Sequence, residues 1–115
     1  PILRRQDRRA DAVKLYKELA SDVRTKEGSA AAYYVLEDVF AGGDMDKAEK
    51  AIFAYSEREP QAYWLAKAFI LLGDVYVRKG DNFQARATYQ SVADGYSPAD
   101  DGIVAEAKER IAKLN

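Results

Sequence analysis

The 115 residues, 48% hydrophobic and 32% charged, have the balance of one globular domain rather than of a disordered tail. Cysteine and histidine are both absent, which excludes disulfides and thiolate chemistry, removes the commonest general base and metal ligand, and leaves cytoplasm and periplasm equally open. A formal net charge of −1 gives no field to draw in nucleic acid or an anionic membrane surface, and the longest apolar run, 30–36, is far short of the roughly 20 residues that span a bilayer.

The chain opens at Pro1 with no charged-then-apolar leader, so it reads as a piece of a longer protein. Arg4, Arg5, Arg8 and Arg9 then form the one basic cluster. Cations at a helix start oppose the macrodipole, so the cluster fits a helix that extends upstream, with Asp7 and Asp11 as partners, better than a phosphate grip. The first predicted helix, 7–25, carries Ala12, Tyr16, Leu19 and Val23 on one face. Helices over 29–40 and 45–58 follow, separated by Gly42-Gly43-Asp44. Pro60 stands where a first-turn proline is tolerated, and Ala66, Phe69, Ile70, Gly73 and Val77 give helical spacing over 61–78. Gly80 suits a left-handed position after that helix. Asp81 caps the next, with Gln84 three residues on. Over 82–93, Phe83, Ala85, Ala87, Tyr89 and Val92 point mostly inward, and Asp94-Gly95 with Ser97-Pro98 close the helix. Asp100 or Asp101 caps a last helix, 103–114.

These six helices contain a repeat. Gly43-Asp44-Met45-Asp46-Lys47-Ala48 recurs as Gly80-Asp81-Asn82-Phe83-Gln84-Ala85, a shift of 37 residues. Ala31 then answers to Ala68, Ile52 to Tyr89 and Tyr55 to Val92. A shift of 36 places Ala12 on Ala48, so 7–25 reads as the second helix of an upstream hairpin; a shift of 39 places Ala66, Ala68 and Leu72 on Ala105, Ala107 and Ile111. The predicted order is one second-type helix, two whole hairpins (29–60 and 61–98) and one first-type helix (100–114). Small residues at Ala31, Ala48, Ala68, Gly73, Ala85 and Ala112 let neighbouring backbones approach. No single hairpin can bury its apolar stripe, so the copies must cover one another.

Residues 61–98 resemble a tetratricopeptide repeat: Phe69 in the usual aromatic place, then Leu72-Gly73, Tyr76, Gly80-Asp81, Ala85, Tyr89 and a proline near the end. Residues 29–60 keep Gly43-Asp44, Ala48 and Pro60 but put Val35-Leu36 where the family has Leu-Gly, and the spacing exceeds the family's usual 34. The run Ala62-Tyr63-Trp64-Leu65-Ala66, with the two Gly-Asp pairs and Tyr96-Ser97-Pro98, looks like repeats of bacterial cell-envelope tetratricopeptide proteins, which favours a periplasmic home. The resemblance implies an all-α, right-handed α-solenoid that catalyses nothing and binds a protein or peptide segment along the concave face made by the first helix of each hairpin. Carried over by position, that face presents Ala30, Tyr33, Glu37 and Phe40, then Lys67, Ile70, Asp74, Val77 and Arg78, then Glu106 and Glu109. The family's best-known peptide binders grip a carboxylate with Lys and Asn where this chain has Tyr33, Glu37, Ile70 and Asp74, so a basic or amphipathic partner fits better. The alternative is a purely structural or oligomerisation segment, self-associating through open apolar repeat ends.

Sharper chemistry finds little support. Asp44-Met45-Asp46 lacks the further ligands of a calcium loop and serves as a cap; Asp100-Asp101-Gly102 reads likewise as cap and turn. No phosphate loop, nucleophile elbow or zinc spacing occurs, so no cofactor, metal or catalytic residue is expected. The carboxylate pairs Glu18 with Asp22 and Glu57 with Glu59 fall on solvent faces. Tyr63, Trp64 and Tyr96 suit an interhelical core more readily than a stacking platform, whereas Tyr33 and Phe40, two turns apart with Glu37 between, are the first candidates for contact.

Overall fold

A computed structural model describes residues 24–97 and 101–114; the predicted helix at 7–25, the arginine cluster and Asp100 lie outside them. The described residues are all-α. They form α1 (Lys26–Ala41), α2 (Met45–Glu57), α3 (Ala62–Arg78), α4 (Asn82–Gly95) and α5 (Ile103–Ala112), with no strand among them.

Local chemistry explains most of the ends. Asp44 and Asp81 act alike: each carboxylate accepts the backbone N–H three residues on, from Lys47 at 3.1 Å and from Gln84 at 3.0 Å. Just before them, Gly43 and Gly80 take φ of 92° and 79°, the left-handed conformation that glycine adopts without steric cost. After α3 the N–H of Gly80 reaches the Val77 carbonyl and that of Asp81 reaches the Tyr76 carbonyl, so two orphan carbonyls are satisfied in a Schellman turn.

Other ends correct the sequence reading. Helix α1 starts three residues earlier than expected, because Thr25 caps it by accepting the Gly28 N–H at 2.9 Å. Pro60 precedes the N-cap Gln61 instead of occupying the first turn. Gly95 continues α4 where a stop was expected. Asp101 accepts the Ile103 N–H at 3.1 Å from a turn, while Gly102, with φ of 91°, holds the N-cap position of α5.

Successive helices pack against one another, and α3 also packs against both α1 and α5, whereas neither α1 and α5 nor α2 and α4 contact each other. Helix α3 therefore touches every other described helix and forms the spine. Ala48, Ala68, Ala85 and Ala107 are at most 1% exposed, so the backbones close in at these points while Ile52, Tyr55, Ile70, Val75 and Tyr89 fill the space between. Ala112 is exposed instead and does not join them. Of the five residues of which most were expected to point inward, Ala85, Tyr89 and Val92 are buried, whereas Phe83, in the first turn of α4, is 84% exposed and Ala87 is exposed too. Trp64 and Tyr96 pack against the core while partly open, and Tyr63 stays largely at the surface.

Polar ties fix the helices. The buried Ser29 accepts the Gln61 N–H on its hydroxyl at 2.9 Å and the Tyr55 hydroxyl on its carbonyl at 2.8 Å, so one residue of α1 anchors both α2 and the uncapped start of α3. At the opposite end, Tyr76 donates to Glu49 at 2.8 Å and the Lys79 ammonium bridges Asp46 and Glu49 at 2.8 and 3.0 Å. No buried side-chain polar atom among the described residues lacks a partner. No helix among them is long and apolar enough to cross a membrane.

Candidate functional site

Between α1, α3 and α5 lies a cavity of about 380 Å³. Each helix contributes a pair four residues apart, which a helix sets on one face: Tyr33 and Glu37 from α1, Ile70 and Asp74 from α3, Glu106 and Arg110 from α5. Across the three helices these positions are separated by 37 and then 36 residues, one position per hairpin. Phe40, Lys67 and Leu71 complete the wall.

Asp74 is the electrostatic centre. Its carboxylate accepts from the Tyr89 hydroxyl of α4 and from Arg110, whose Nε lies at 2.9 Å. Arg110 also reaches Glu106 at 3.3 Å. Burial alone would lower the pKa of Arg110, but the hydrogen bond and charge of Asp74, with Glu106 adding to them, raise it above the ordinary arginine range. Burial raises the Tyr89 phenol first, and its bond to Asp74 raises it further.

Tyr33 donates to Glu37 at 3.0 Å. Its phenol is pushed far up, first by burial, then by Glu37, and then by the charges of Glu106 and Asp74. The carboxylates dominate the field at that hydroxyl. The two cations are turned elsewhere: Arg110 toward Asp74 and Glu106, and the Lys67 ammonium over the rings of Tyr33 and Tyr63 at 5.6 and 5.9 Å. Three carboxylates against two cations leave a negative excess.

Of the eleven residues assigned to the concave face from sequence, Tyr33, Glu37, Phe40, Lys67, Ile70, Asp74 and Glu106 line this one cavity, and Ala30 does not. Arg78 lies next to it, its guanidinium 5.1 Å from the Phe40 ring centre, in a second hollow that shares Phe40, Asp74 and Arg110 and includes Val77. Glu109 does not join the cavity: it points to solvent and pairs with Lys113 at 3.0 Å. Arg110 and Leu71 were missed. The register explains the exchange, since the 39-residue shift chosen for the last helix put Glu109 in the groove, whereas a shift of 36 from Asp74 lands on Arg110. The four-residue spacing of Glu106 and Arg110 was the available signal.

The cavity offers carboxylate acceptors at Glu37 and Glu106, a donor at Lys67, and apolar walls from Phe40, Ile70 and Leu71. Among the described residues no three acidic side chains come together to hold a metal ion. Comparison with known proteins finds no matching family model, no matching curated protein and no matching solved structure.

Proposed function

We propose that this chain is a non-catalytic binding module, a tetratricopeptide-like right-handed solenoid that holds a segment of a partner protein against the face of α1, α3 and α5. The observation that carries this reading is the cavity itself, to which these three helices contribute at one shared repeat position. The contacts support the same geometry. Successive first-type helices, α1 with α3 and α3 with α5, touch while α2 and α4 stay apart, the arrangement expected of a stack curved toward its first-type helices. The helix predicted over 7–25 would complete the six-helix order. The negative excess of the cavity favours a basic or amphipathic segment over an acidic one.

The test uses the wild-type chain and Glu37→Lys/Phe40→Ala as immobilised baits. Loss of the wild-type partner on the double variant is expected; identical recovery removes the groove from the reading. A second reading, a structural or self-associating segment, has Phe83 behind it, because an 84% exposed phenylalanine is a natural contact for another surface. Sedimentation separates the two. Association that Phe83→Ser abolishes supports the second reading, and a monomer at all concentrations removes it.

A further inference from the structure

The cavity does not end at Tyr33. An aromatic platform continues from it across α1 and α3: Trp64 lies 5.6 Å from Tyr33 between ring centres, and Tyr34 and Tyr63 stand edge-on to Trp64 at 5.8 and 5.0 Å. Tyr34 and Tyr63 are 42% and 37% exposed, so the platform is open to a ligand while Trp64 is seated against the core.

The charges beside it are unequally matched. Asp74 and Glu106 share the single cation Arg110. Glu37 accepts the Tyr33 hydroxyl and enters no ion pair among the described residues. Lys67 has no carboxylate partner there either, and its ammonium lies over the Tyr33 and Tyr63 rings, at the border between cavity and platform.

We infer that this face takes an extended peptide that sets one basic side chain into the cavity, toward Glu37 and Glu106, and lays an aromatic side chain on the Tyr34, Trp64 and Tyr63 platform. The inference rests on the peptide-binding reading above and adds the chemistry of the ligand. A guanidinium or ammonium meets the unmatched carboxylate charge. The aromatic ring gains edge or stacked contacts with exposed rings. The main chain between them runs past Lys67, whose ammonium donates to a peptide carbonyl and is repelled by a second basic side chain. The recognised pattern is therefore a basic residue and an aromatic one on the same peptide, near enough to reach the cavity and the platform together.

Peptide display on the full 115-residue chain tests this without knowledge of the natural partner. Three baits are compared: wild type, Glu37→Gln/Glu106→Gln, and Tyr34→Ala/Tyr63→Ala, with thermal melts to verify that each is folded. Wild type is expected to enrich Arg or Lys together with Phe, Tyr or Trp in the same short segment. The glutamine variant should bind the selected peptide about tenfold more weakly and lose the basic preference. The alanine variant should keep the basic preference and lose the aromatic one. Enriched peptides without a basic residue, or equal affinity for wild type and the glutamine variant, overturn the inference and leave the peptide-binding reading standing. Failure of the folded wild-type chain to enrich any sequence overturns both.

Discussion

A methyl group on Gly73 would sit 2.2 Å from Cε1 of Tyr89, a distance at which one of the two must move. Glycine there lets the Tyr89 ring lie flat against α3, with its hydroxyl on the next residue, Asp74. Asp74 in turn holds Arg110 of α5, so a missing side chain on one helix positions a wall of the cavity two helices away. Gly73→Ala should therefore overpack this junction and cost about 1–3 kcal/mol in denaturant unfolding. Unchanged stability would mean that Tyr89 has another place to go. Glu59 presents the opposite situation. It holds φ of 58° immediately before Pro60, a left-handed conformation that disfavours a side chain. Glu59→Gly should raise stability by roughly 0.5–1 kcal/mol, relief of strain outweighing the added freedom of the unfolded chain. A loss measured by the same unfolding curves would contradict this.

Among the elements, α5 depends most on its neighbours. At 10 residues it is too short to persist alone in water, so its helicity comes from burying Ile103 and Ala107 and from the Arg110 to Asp74 bridge. Arg110→Ala should cost about 1 kcal/mol and speed amide hydrogen exchange in α5 more than in α2; equal exchange in both would show that the bridge does not fasten the helix. The elements also show what a sequence reveals. The Gly-Asp turns were legible because a left-handed glycine and a capping aspartate are fixed by local backbone chemistry, wherever the helices go. The start of α1 was not, since Gly28 resembles a breaker until Thr25 is seen to cap across it. Which of the five apolar residues of α4 faces out was not legible, because apolar character alone does not reveal that Phe83 sits on the open side of the first turn. Seven of the eleven residues assigned to the face came together in the cavity because one spacing governs α1 and α3, and Arg110 escaped because the last helix was aligned on its alanines instead of its charges.

Over the whole molecule, four tyrosines give stability a marked alkaline limit. Burial pushes Tyr55 up to about 12 from an ordinary 10.0, against a smaller lowering by the Ser29 side chain. Burial and then Glu49 push Tyr76 to about 12, and Tyr33 and Tyr89 are raised further. A phenol raised in the folded chain keeps its proton after the unfolded chain has lost it. Its contribution is thus complete below about pH 10 and is lost as pH climbs through 12. Thermal melts should show stability falling steeply above pH 10, and a flat profile to pH 12 would contradict the burial of these hydroxyls. On the acid side, hydrogen bonding to Lys79 lowers Asp46 and Glu49, so their smaller contribution is present above the ordinary carboxylate range and fades as pH falls.

The proposed function requires three helices, one from each successive repeat position, to make a single receptor surface for a protein segment. Amide chemical-shift mapping of the 115-residue chain, titrated with a peptide that the wild-type chain has captured, tests it most directly. Shifts should concentrate at Tyr33, Glu37, Lys67, Asp74 and Glu106, with the outward faces of α2 and α4 unmoved. Shifts centred on Phe53 and Phe83 instead would contradict it.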